Sequence, residues 1–334
     1  MTAAAMSPGG PPTALVNAVQ ANCHIADARH AADLPLCIYL LQMREYYRWE
    51  CGLAFGAALD RDAVGHWLAQ REALWSDVED APLRPLPFEG RQFDPWDVNT
   101  LNDVLMPHQL IYGAGSTAVD RPTFFLARLH SAGAGADGLH LQVSDREYAR
   151  GLSAPPAVLA NGRTIVLRRE SLARWLWEKF ESFSLRRADG PFKALIDAYA
   201  LSDGASFVAA LPRLVDELSE TLLLHELGEY RAGQWLEPGW SAMRLSLTQR
   251  RAELHVRAVR DHLADLAVTL PALLERRADK SLHFWFANFD GVRERLFPTL
   301  KDAYNAWRAG DAGADLRSAA RFGLQHFGRL AQEV

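Results

Sequence analysis

The sequence predicts an α+β protein that is predominantly α-helical. A helical N-terminal part precedes a small antiparallel β-sheet in the middle and a larger helical C-terminal half. Three observations predict this. Apolar residues recur at helical spacing across 13–80 and again from Ser171 onward. Short apolar and β-branched runs bounded by turn residues fill 110–170. Proline and glycine punctuate the boundaries. The expected segments are a disordered N-terminus at 1–12, a helical part at 13–80 and a linker with a short helix at 81–109. A small sheet at 110–170 and a helical region at 171–334 follow, the last able to pack as one body with 13–80.

Thr13 to Asp33 reads as a helix that Pro35 ends. The next helix runs to about Glu50 on a stripe of Leu36, Leu40, Met43 and Tyr47, and a third spans Asp62 to Asp80. Ala81 to Phe93 is rich in proline and reads as a linker. Asp94 is the candidate N-cap of a short helix, with Pro95 at its first position. Strands are expected at Leu110–Tyr112, Thr123–Leu129, Leu139–Val143, Val158–Leu159 and Thr164–Leu167. Asn161-Gly162 is a type I′ hairpin signal between the last two. Helical segments begin near Ser171, Pro191, Ser206, Ser241, Pro271, Asp290 and Asp315, with Pro212, Pro238, Pro271 and Pro298 as punctuation.

The chain has 334 residues, 49% of them hydrophobic and 23% charged, enough to build a core without a disulfide or metal staple. A net charge of −5 argues against nucleic-acid partners, which require basic surface. Cys23, Cys37 and Cys51 form neither a CxxC pair nor an even set, which argues against a disulfide framework. No signal peptide and no apolar run of membrane-spanning length is visible, so a cytoplasmic protein is expected, with homo-oligomers open.

Gly133-Ala-Gly-Ala-Asp-Gly138 matches the dinucleotide fingerprint, but a strand rather than a helix follows, so it reads as a hairpin loop. The tryptophans fall at helical positions such as Trp175, Trp177, Trp285 and Trp307 and read as packing residues.

Chemistry concentrates at His225-Glu226-Leu-Gly-Glu229. Leu214, Leu218, Leu222, His225 and Glu229 continue one helical stripe, so a histidine and a carboxylate extend an apolar face. A buried carboxylate needs a partner, either a protein group or an ion. His255 and His262 lie seven apart on a later helix whose apolar face also carries Val259 and Leu266. An antiparallel pairing of the two helices, turning near 237–239, would bring them to His225, as in carboxylate–histidine sites of helical bundles. Asp265, one turn beyond His262, is placed to orient that imidazole.

The pentapeptide resembles the HExxH helix of zincin metalloproteases with the second histidine replaced by glutamate. That resemblance implies His225 and Glu229 as metal ligands and Glu226 as general base. It also adds Glu253, at a spacing compatible with the downstream glutamate ligand of some zincins. A His/carboxylate pair suits Fe(II) or Mn(II) at least as well as Zn(II).

A second polar set occupies the N-terminal helices. His24, Asp27, His30 and Asp33 recur every three residues and wrap around their helix, so they cannot all meet one ion; Glu45 falls on an inward position of the next. The surrounding text, CHIADARHAADLPLCIYLLQMREYYRWE, resembles that of a family of bacterial proteins of unknown function.

The expectation is a metal-dependent enzyme, most simply a hydrolase acting on a small-molecule or peptide substrate, with oxidative chemistry if the ion is iron. The alternative is a non-catalytic interaction or regulatory protein whose buried His/Glu pairs are structural.

Overall fold

A computed structural model describes residues 10–118, 121–237, 239–247 and 249–333. The expected disorder of 1–12 therefore falls mostly outside the described residues, and so does Pro238 of the expected 237–239 turn. No helix among the described residues is long and apolar enough to cross a membrane.

Helices α1 (Thr13–His30), α2 (Leu36–Glu50) and α3 (Arg61–Val78) come first. Strands β1 (Leu86–Phe88) and β2 (Arg91–Phe93) and helix α4 (Val98–Leu105) follow. Next are β3 (Leu110–Ala118), β4 (Arg121–Ala134), β5 (His140–Arg150), β6 (Ala157–Ala160), β7 (Thr164–Arg168) and α5 (Arg169–Arg186). The helical remainder is α6 (Pro191–Ala198), α7 (Gly204–Leu236), α8 (Gly239–Ser246) and α9 (Arg250–Ala264). A π-helical turn over Asp265–Thr269 leads into α10 (Leu270–Glu275) and α11 (Asp279–Phe286). The chain ends with α12 (Gly291–Leu296), α13 (Thr299–Arg308) and α14 (Ala314–Glu333).

The expectation of one small antiparallel sheet is corrected in two ways. The stretch taken for a linker holds an antiparallel hairpin pairing Leu86 with Phe93 and Phe88 with Arg91. Glu89 and Gly90, both at positive φ (47° and 74°), make its two-residue turn. A two-stranded ribbon leaves one side of each strand unpaired, so Pro87 is tolerated within it. The main sheet has five strands in the order β3-β4-β5-β7-β6 and is mixed. The Asn161-Gly162 turn folds β6 against β7, but it is β7 that lies beside β5. There the His140 N–H donates to Arg163 O at 2.8 Å.

Two local readings also change. Asp97, not Asp94, caps α4 by accepting the Thr100 N–H at 3.2 Å; Asp94 instead accepts from the Trp96 N–H in the preceding turn. Pro212 lies inside α7, which continues past it.

The chain resolves into two compact units. One comprises the chain up to Gly133 with Leu141–Pro156 and Val166–Phe180; the other comprises Ala134–His140, Ala157–Ile165 and the chain from Glu181. In the first, Leu15, Val19 and Cys23 of α1 pack with Leu86, Leu101 and Phe124. In the second, Leu263, Leu266, Leu270 and Leu273 share a core with Trp285, Leu300 and Phe327.

Candidate metal centre

The site grows from a long, well-capped helix. Asp203 accepts the Ser206 N–H at 2.8 Å while Ser206 Oγ accepts the Asp203 N–H at 3.1 Å, a reciprocal cap that starts α7. Leu211, Leu214 and Leu218 bury its stripe. That stripe leads to Gly228, where a Cβ would stand 2.4 Å from Ala264 O. The two backbones meet there because this position has no side chain.

Both partners at this crossing carry polar groups one turn apart. His225 and Glu229 flank Gly228 on α7; Asp261 and Asp265 flank Ala264 on α9 and the π turn. His225, Glu229 and Asp261 each offer one ligand atom, all within 4.8 Å of one another. Among the described residues no other His/Cys/Asp/Glu group of three meets this spacing. π-turns recur at functional sites because they re-aim side chains within a helix.

The fourth residue, Asp265, is fully buried and orients the first. Its Oδ1 accepts from His225 Nδ1–H at 2.8 Å, and its Oδ2 accepts from Arg293 Nη1 at 2.9 Å. This contact directs Nε2 away from Asp265, with the side chain 26% exposed, and a metal ion would bind there by displacing the Nε2 proton. Burial opposes ionisation of Asp265, yet His225, Arg293 and a hydrogen bond from Trp285 hold its carboxyl down at about 2. Burial likewise opposes a charged His225, but Asp265 raises the imidazole to about 10. Glu229 pairs with Arg260 Nη2 at 2.9 Å. Burial raises the Glu229 carboxyl, and a hydrogen bond shared with Asp261 adds to that rise. Glu226 is buried beside the cluster and accepts from the Leu159 backbone N–H; burial pushes it up to about 7.

The other candidates lie apart. His262, 1% exposed, has its ring stacked on Phe327 at 4.2 Å and its Nε2–H directed to Arg293 O at 3.1 Å. Burial pushes its pKa down to about 4. His255 donates from Nδ1 to Arg251 O, one turn back on its own helix, at 2.7 Å. Glu253 is buried, with Arg257 Nη1 3.9 Å away. The N-terminal set also does not converge. Asp27 accepts the Leu152 N–H, Asp33 pairs with Arg121, Glu45 pairs with Arg48 in the interior, and His24 meets Arg71. Gly133 lies at the end of β4, the segment 135–139 joins β4 to β5, and its Asp137 pairs with Arg231 at 2.7 Å.

Asp261 is the residue sequence reasoning missed. Its signal was available: two aspartates at i and i+4 bracket an alanine, opposite a glycine bracketed by His225 and Glu229.

The molecule is thus a mostly helical α+β protein with a one-histidine, two-carboxylate cluster at a close helix crossing. The chain belongs to a family of unknown function (DUF6866): residues 14–168 match its N-terminal domain and 173–334 its C-terminal domain. No curated protein and no solved structure matches the chain.

Proposed function

We propose that the protein is a metal-dependent enzyme, most simply a hydrolase, with a divalent ion held by His225, Glu229 and Asp261. The convergence of these three side chains supports this reading most directly. Ligand atoms bound at about 2.0–2.2 Å to one ion stand at most roughly 4.4 Å apart, close to the 4.8 Å within which these three lie. One imidazole and two carboxylates form a donor set that suits Mn(II) or Fe(II) at least as well as Zn(II). A bound ion would supply Lewis acidity and an acidified water. Glu226, buried beside the cluster, would take the proton from that water. A small-molecule or peptide substrate and a reducing, cytoplasmic setting complete the reading. The free, exposed thiols of Cys37 and Cys51 support that setting.

One observation favours a second reading, a non-catalytic protein in which the cluster is structural: Glu229 and Asp265 already have arginine partners. Elemental analysis of untagged protein and titration of chelator-treated protein with Mn(II), Fe(II) and Zn(II) separate the two. Metal that is present in wild type, lost in His225→Ala and Asp261→Asn and kept in His255→Ala supports the enzyme. A metal-free wild type that ignores all three ions leaves the structural reading.

A further inference from the structure

A cleft of about 490 Å³ opens within the first unit. Its size falls in the range of small-molecule sites, roughly 300–1,000 Å³. His24, Trp49, Arg71, Glu147, Tyr148 and Glu170 line it.

Its walls hold buried charges of both signs. Arg71, 7% exposed, pairs with Glu50, and its guanidinium lies 5.4 Å from the Tyr46 ring centroid. Its Nε–H has no acceptor among the described residues. His24 receives Arg71 Nη1–H at 2.6 Å and faces the Trp75 indole N–H at 3.5 Å. Gln20 Nε2 also lies 3.5 Å from His24 Nε2, so all three neighbours are donors, which favours the neutral imidazole.

Glu147 is also deeply buried. Its Oε1 accepts from Arg168 Nε at 2.8 Å and Ser171 Oγ at 2.7 Å. Its Oε2 has no hydrogen-bond donor among the described residues, only Arg150 Nε at 3.9 Å. Glu170 accepts from the Glu147 N–H at 2.6 Å and from Arg174 Nη2 at 2.7 Å. The cleft wall therefore carries guanidinium donors at Arg71 and carboxylate acceptors at Glu147 and Glu170.

Buried charge is costly, and holding both signs at one cleft limits what fits there. A dianion would meet Glu50, Glu147 and Glu170. A plain cation would meet Arg71 and the rim residue Arg146. A ligand with one charge of each sign is opposed by neither. Trp49 and Tyr148 add ring surface for an apolar group. The geometry points to a binding site for a free α-amino acid. Its carboxylate faces Arg71 and His24, its ammonium faces Glu147 and Glu170, and its side chain lies along Trp49 and Tyr148.

Calorimetric titration of the full chain with the common L-amino acids, one at a time at millimolar concentration, tests this. The tightest binder is then compared with its N-acetyl and carboxamide derivatives, which lose one charge each. At least one amino acid is expected to bind, and each blocked derivative is expected to bind about tenfold or more weakly. Arg71→Gln and Glu170→Gln should weaken the parent amino acid similarly. If either variant fails to fold, the blocked derivatives on wild-type protein still decide. The proposal is overturned if no amino acid binds, or if the blocked forms bind as well as the parent.

Discussion

The Nδ1–H of His225 donates to Asp265 Oδ1 at 2.8 Å, joining α7 to the π turn that follows α9. A buried carboxylate behind an imidazole fixes its tautomer and strengthens Nε2 as a ligand. Asp265→Asn should therefore weaken metal binding about 10–100-fold, as removal of such partners does. It also leaves Arg293 without its carboxylate, so unfolding should become easier by about 3–5 kcal/mol. Metal titration and urea denaturation on the same preparation read both effects. Unchanged metal affinity in a folded Asp265→Asn protein would count against the orienting role.

Gly228 sets how closely the two sides of the site approach. An added methyl would meet Ala264 O at 2.4 Å, and backbone cannot rotate away as a side chain can. Gly228→Ala should cost about 1–3 kcal/mol, the usual cost of overpacking, despite the better helix propensity of alanine. It should also spread His225 and Glu229 from Asp261 and lower metal affinity. Gly233→Ala on the same helix, with open space at its Cβ, is the control and should be neutral or stabilising.

The two halves of this site were unequally legible in the sequence. His225 and Glu229 stand out because the run of leucines before them defines which side of α7 turns inward, and both continue that side. The partner helix gave a misleading cue. His262 shares its apolar stripe with Val259 and Leu266, and that stripe does face the core, where Phe327 covers the ring. The surface turned to α7 is the next one round, with Asp261, Ala264 and Asp265. Periodicity identifies a buried stripe but not which neighbour each edge meets. The same limit applies to the sheet: the Asn-Gly turn is readable from local residues, whereas the placement of β7 beside β5 depends on distant pairing.

Asp27 offers a pH test away from the metal cluster. Burial raises its carboxyl from 3.8 to about 7, despite a hydrogen bond from the Leu152 N–H and the nearby Arg150 and Arg71. A group with a raised folded pKa binds protons more tightly when folded. Its contribution is therefore fully present below the unfolded value and lost as pH rises through about 7. Asp27→Asn removes that loss. The stability of the variant relative to wild type should rise between about pH 4 and pH 8. His24 acts in the opposite direction. Burial and Arg71 lower it from 6.5 to about 3, so its stabilisation holds above 6.5 and fades as pH falls toward 3. Denaturation of wild type, Asp27→Asn and His24→Gln across this range separates the two slopes. Parallel curves for wild type and Asp27→Asn would rule out the raised carboxyl.

His262 and Glu226 make the sharpest contrast, because each should affect one property and spare another. His262 is neutral, stacked on Phe327 and bonded to Arg293 O. His262→Gln removes that ring from a packed aromatic site. It should cost about 1–3 kcal/mol of stability, the range for losing a buried hydrogen bond, while metal stoichiometry stays at the wild-type level. Glu226 contributes no ligand atom to the cluster. Glu226→Gln should keep the metal and the fold, because the amide oxygen can still accept the Leu159 N–H that the carboxylate accepts. Turnover, once a substrate is in hand, should fall about 10²–10⁴-fold, the usual contribution of a general base. Loss of metal in His262→Gln would make that histidine a ligand after all. Full turnover in Glu226→Gln would move the proton transfer to another residue.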